Sequence, residues 1–217
     1  MNRVSFIVYR ESFIENSQRA FVYRERAISC DQRKTINEQR LNNQRPGQAM
    51  TTSDTIQARF ELLLARLLTA SQERYGARLV SLAVFGSVGR GTPRIDSDVD
   101  LLIVADELPR GRLPRVAEFR DVEMTMAFAL AQARASGLTA DLSPVIETPA
   151  EVLQGSLLFL DMVEDARLLY DRANFMRQAL SSFKARLDRL GARRIWRGNA
   201  WIWDLKPDYK PGEVFEL

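Results

Sequence analysis

Two aspartates one residue apart, Asp98 and Asp100, open an apolar run that continues to Val104. Ten residues separate them from a Gly86-Ser87 pair that closes another apolar run, Leu79 to Phe85. Side chains alternate along a strand, so Asp98 and Asp100 share one face while Val99, Leu101 and Ile103 take the other. Two adjacent carboxylates repel unless a cation lies between them. Two or three convergent carboxylates are what Mg²⁺ takes from a protein while keeping phosphate and water ligands. Asp-Ser-Asp is also good turn chemistry, so a solvated strand entrance is the competing reading of the pair alone.

A strand that stops at Gly86-Ser87 and turns into a short helix leaves backbone N–H groups that attract phosphate oxygens. Gly86 allows close approach, the Ser87 hydroxyl adds a hydrogen bond, and Arg90, one turn along, supplies a fixed positive charge. In isolation a Gly-Ser pair after a strand is an ordinary turn; the downstream acids give it its meaning. Asp141 is the candidate third carboxylate. It interrupts an apolar stretch with Ala140 and Leu142 on the opposite face, and its alternative is a plain exposed strand acid.

Gly86-Ser87, ten residues, Asp98, one residue, Asp100 resembles the signature of the DNA polymerase beta-like nucleotidyltransferases, above all their minimal branch. The resemblance spans about residues 54–170. It implies a small mixed sheet flanked by helices, with Gly86, Ser87 and Arg90 on the triphosphate of ATP, Asp98 and Asp100 on Mg²⁺, and Asp141 as third acid and metal ligand. It also implies in-line attack of an acceptor hydroxyl on the α-phosphate, with pyrophosphate leaving.

The elements that must position these residues are legible from periodicity. After Met50, Thr51-Thr52-Ser53-Asp54 reads as an N-cap cluster before a helix with Ile56, Phe60, Leu63, Leu64, Leu67 and Leu68 inward. Two buried strands follow, then a helix from about Pro114 to Ala135, a turn at Gly137 and a third strand from about Leu138 to Ile146. Thr148-Pro149 starts another helix, Leu157 to Glu164 is a short apolar helix, Ala166 to Tyr170 an edge strand, and Ala173 to Leu190 a long helix. The fold class is α/β, as a polymerase beta-like domain over 51–171, with a C-terminal helix and tryptophan-rich tail over 172–217. Residues 1–50, rich in Gln, Asn and Arg, read as a poorly ordered and dispensable tail, with Met50 a possible natural start.

Composition removes whole classes of chemistry. There is no histidine and Cys30 is the sole cysteine, so disulfides, the usual zinc ligand sets and His-based triads are excluded. No apolar run approaches the ~20 residues of a membrane span, and Phe6 to Tyr9 is too short for a signal-peptide core, so a cytoplasmic protein is expected. Residues 1–50 carry nine basic and five acidic side chains, leaving 22 and 23 in the remainder. That near-neutral remainder argues against a nucleic-acid acceptor.

Small members of the minimal branch resemble antitoxins that transfer AMP to a tyrosine of a HEPN-type ribonuclease. The ribonuclease motif needs histidine, so such a partner would be a separate chain. Two other readings stay open. One is adenylylation of an aminoglycoside-type cation, with Glu118, Asp121 and Glu123 as the acidic pocket; the other is a partner-binding antitoxin without catalysis. The run from Arg193 to Trp203 mixes bases with Trp196, Trp201 and Trp203. It could grip a protein, stack on RNA bases or pack the tail onto the last helix, with Trp201 and Trp203 on one strand face.

Overall fold

Seven consecutive buried residues, Leu79–Phe85, form strand β3, and seven more, Val99–Ala105, form β4. Runs of this kind are apolar on both faces because both faces are covered. The computed structural model describes residues 4–15, 18–29, 52–54, 197 and 200 as backbone, and residues 55–196, 201–210 and 213–215 with their side chains.

The chain divides into two units, one of residues 48–181 and one of residues 1–47 with 182–217. The first unit contains α1 (Thr52–Tyr75), β3, the four-residue helix α2 (Gly86–Gly89), β4, α3 (Arg112–Ala135) and β5 (Leu142–Glu147). It continues through α4 (Pro149–Gln154), α5 (Phe159–Asp165) and β6 (Arg167–Asp171) into the start of α6 (Phe175–Leu190). Its sheet has the order β5-β4-β3-β6; β4 runs parallel to β5, and β3 antiparallel to both β4 and β6. This is the small mixed sheet with flanking helices that was expected, with β6 at an edge.

One sheet face contributes Leu82, Val84, Val99, Leu101 and Ile103 to a core shared with Phe60, Leu63, Leu64 and Leu67 of α1 and Phe119, Val122 and Met126 of α3. Each such side chain contributes about 1.5–3 kcal/mol by leaving water. Asp98 and Asp100 belong to the opposite face, with Ala83 and Phe85 of β3. The helix pair therefore holds the sheet from behind and leaves the carboxylate face to α4, α5 and the loops.

The start of the third strand differs from expectation. The third strand begins at Leu142 instead of Leu138, although Leu138 and Ala140 are buried. Parallel pairing starts only where Val99 N–H reaches the Asp141 carbonyl at 2.8 Å. Helix α4 starts as expected: the Thr148 hydroxyl accepts the Glu151 N–H, Glu151 accepts the Thr148 N–H at 2.7 Å, and Pro149 occupies the first turn.

The second unit has a sheet of order β2-β1-β8-β7. Strands β1 (Val4–Glu15) and β2 (Gln18–Ser29) pair antiparallel, where only Val4 to Tyr9 carried a strand signal. Strands β7 (Arg193–Arg197) and β8 (Ala200–Asp204) pair likewise, where a tail was expected. Two short strands that pair gain hydrogen-bonded partners that neither has alone, and period-2 reading of five residues does not reveal it. The expectations for residues 30–51, including Thr51 of the cap cluster, lie outside the described residues. Among the described residues no helix is long and apolar enough to cross a membrane.

Candidate active site

The site grows from the end of β3. Phe85 is the last extended residue, and Gly86 turns the backbone with φ +67° into α2, whose N-terminus carries no side-chain cap. The turn closes on itself: the Arg90 N–H donates to the Gly86 carbonyl at 3.1 Å and the Thr92 N–H to the Ser87 carbonyl at 2.9 Å. Ser87 Oγ donates to Ser97 Oγ at 3.0 Å, and Ser97 Oγ accepts the Arg94 N–H at 2.9 Å. The loop before Asp98 is thereby tied to the Gly-Ser turn.

Asp100 faces Phe85 across the β3–β4 pair, which places its carboxylate against the turn. A Cβ on Gly86 would collide with Asp100 Oδ2 and stand 3.4 Å from Asp100 Cγ. Glycine is thus required at residue 86 twice, by the left-handed backbone and by the seat it leaves for the carboxylate. Asp98, one step before the strand, is half-buried on the same face, and Asp100 is buried. The structure brings together Gly86, Ser87, Asp98 and Asp100 from segments that the sequence spacing had linked.

Arg90 is placed differently from its expected role. Its guanidinium donates to Asp165 Oδ2 at 2.7 Å, with the Asp165 carboxylate buried at the end of α5. The charge expected to face a triphosphate is engaged by an acid 75 residues away. Gly89 is the second fixed point that sequence reading passed over. A Cβ there would meet the Asp165 carbonyl, and would stand 2.8 Å from the Val84 carbonyl oxygen. Close backbone approach at Gly89 and the ion pair at Arg90 together hold α2 against α5.

Asp141 also departs from expectation. It precedes β5, its side chain is 76% exposed, and it accepts a hydrogen bond from Arg134 at 2.6 Å. Among the described residues no group of three Asp, Glu, Cys or His side chains is arranged to hold a metal ion. Arg134, in the last turn of α3, holds the Asp141 carboxylate. The β4–β5 register, with Asp100 opposite Ser143, still puts Asp141 on the face that carries Asp98. The pair Asp98 and Asp100 by itself fits Mg²⁺, which needs one or two protein carboxylates when phosphates and water complete its octahedron.

The acids considered for a cationic substrate are committed elsewhere. Glu118 binds Arg74 and Arg78, Arg74 Nε lies 2.8 Å from Asp121 Oδ2, and burial pushes the Glu123 carboxyl up. Through Arg74, Glu118 and Asp121 cross-link α1 to α3 on the side of the sheet opposite Asp98 and Asp100.

Residues 64–154 match the family model of the nucleotidyltransferase domain. A Methanocaldococcus jannaschii protein, whose name is that of a protein adenylyltransferase, is 29% identical over 130 residues, covering 59% of this chain and 83% of the relative. Among solved structures, a toxin-antitoxin complex with AMP-PNP is 18% identical with a TM-score of 0.37, covering 59% of this chain and 92% of the other. A Sulfolobus solfataricus protein with the name of a nucleotidyltransferase is 19% identical with a TM-score of 0.33, covering 58% and 95%. The match to a nucleotidyltransferase domain over residues 64–154 takes in the Gly86-Ser87 turn, Asp98, Asp100 and Asp141.

Proposed function

We propose that this protein transfers AMP from ATP to a hydroxyl of a protein, a tyrosine of a HEPN-type partner carried on a separate chain. One observation carries the transfer reading: the Asp100 carboxylate sits where only a glycine at residue 86 leaves room, beside the amides of α2 and in line with Asp98. The protein acceptor is supported by the name of the M. jannaschii relative. The surplus of acidic side chains in residues 48–181 disfavours a nucleic-acid acceptor, and the acids Glu118 and Asp121 are taken by Arg74 and Arg78, which removes the support for an aminoglycoside.

Asp98 and Asp100 would hold Mg²⁺, which would neutralise charge on the phosphates of bound ATP. The amides of the Gly86-Ser87 turn and the Ser87 hydroxyl bind phosphate oxygens. Arg90, fixed by Asp165, keeps α2 aimed at them. Asp141, exposed at the edge of the same face, accepts the proton of the incoming hydroxyl. With Cys30 the single cysteine, the chain has no need of an oxidising compartment and is assigned to the cytoplasm. The domain scheme stays with one catalytic domain over residues 51–171, flanked by the segments before and after it.

The test is Asp98→Asn with Asp100→Asn, which should abolish Mg²⁺-dependent labelling of partner protein from labelled ATP while the thermal midpoint is retained. Unchanged labelling by the folded double variant defeats the metal assignment. Label entering only tRNA or an aminoglycoside defeats the acceptor and leaves the transfer reading standing.

A further inference from the structure

Charge is divided unevenly between the two units. The unit of residues 1–47 and 182–217 has 17 basic and 10 acidic side chains, a surplus of seven positive charges; residues 48–181 have 14 and 18, a surplus of four negative. A division at residue 50 conceals this, because the basic unit is assembled from both ends of the chain.

Within that unit, β7 and β8 pair with Arg194 opposite Trp203 and Trp196 opposite Trp201. Opposed residues share a face, so these four side chains stand together. Arg194 Cζ lies 5.0 Å from the Trp196 ring centre and 4.8 Å from that of Trp201, and the two rings are 5.0 Å apart with a tilt of 59°. Trp203 is buried and anchors the row, whereas Trp196 is 51% exposed. A tryptophan that only packed a tail in place would not leave half its surface in water while a guanidinium stiffens its position. Burial is thus found at Trp203 and not at Trp196.

We infer that this face binds single-stranded nucleic acid. Every base presents a flat π surface, so an exposed indole backed by an arginine accepts bases without regard to sequence, and the positive surplus attracts the phosphates. A duplex keeps its bases stacked on each other and offers the indole none. The inference is independent of the acceptor hydroxyl, since it concerns binding by the basic unit and not the transfer reaction.

The full-length protein is titrated with fluorescein-labelled oligo-U and oligo-dT of about 12 nucleotides, within the span of small stacking platforms. Binding of either arm should weaken as salt rises, and the tighter arm identifies RNA or DNA. Trp196→Ala should weaken binding at least ~10-fold, the scale of one lost base stack. Trp196→Phe should keep most of the affinity, and ATP-dependent labelling by Trp196→Ala should match the parent. Three results would overturn the inference: Trp196→Ala binding within about twofold of the parent, a duplex binding as tightly as the single strand, or polyglutamate displacing the oligonucleotide as well as poly-U does. The last would mark the face as a docking surface for an acidic protein.

Discussion

Replacing Gly86 by alanine tests the geometry on which the transfer reading rests, and Gly91→Ala is its internal control. Both glycines have left-handed backbones, φ +67° and +72°. A non-glycine residue there costs roughly 1–2 kcal/mol. At Gly91 nothing lies within 4 Å of the added Cβ, so that strain is the whole effect. A loss of this size lowers the midpoint of a unit this large by roughly 3–8 °C. At Gly86 the same strain applies, and in addition the Cβ displaces the Asp100 carboxylate. A reacting group moved by ~1 Å costs on the order of 10² in rate. Gly91→Ala should therefore lose stability with its rate nearly intact, while Gly86→Ala loses similar stability and at least ~10² in rate. Calorimetry gives the first quantity and initial rates of AMP transfer at matched folded fraction the second. Equal rates for the two variants would refute the claim that Asp100 depends on the space above Gly86.

Arg90→Met removes the guanidinium that binds the buried Asp165 carboxylate and should cost about 1.5–3 kcal/mol in urea unfolding, the scale of a hydrogen bond to a charged group, part of it recovered by adding Asp165→Asn; a loss below ~0.5 kcal/mol would show that the pair does not hold α2. The Arg115 guanidinium, with help from the Thr148 N–H, holds the Glu151 carboxyl down at about 2 from the usual 4.5. A depressed carboxylate stabilises the fold above its unfolded value and loses that contribution as pH falls through the folded one. Since Glu151 is partly exposed, the parent should exceed Glu151→Gln by about 1 kcal/mol at neutral pH, with the gap closing between about pH 4.5 and 2; a gap unchanged at acid pH would contradict the assignment. Asp141→Ala removes an exposed ion pair and should cost under ~1 kcal/mol of stability. If Asp141 takes the acceptor proton, its rate falls at least ~10²-fold, and a change below about threefold removes it from the reaction.

The amino-acid order alone determined which residues share a strand face and where the chain turns. Alternation put Asp98 and Asp100 together, apolar runs marked β3 and β4, and Gly86-Ser87 marked the turn, because each is a property of neighbours within a few residues. The helical spacing of Phe60, Leu63, Leu64 and Leu67 likewise predicted the core side of α1. What lies opposite a face is not written in its period. The engagement of Arg90 by Asp165, the backbone contact that forbids a side chain at Gly89, and the binding of Asp141 by Arg134 all join groups brought close only by packing. The same holds for Glu118 and Asp121, whose carboxylates look free in the sequence and are bound to Arg74 of α1 and to Arg78 in the turn after it. Charge shows the contrast most plainly: a net balance summed along the chain is blind to a unit built from its two ends. Tertiary structure alone decided that the basic surplus and the exposed Trp196 belong to one body.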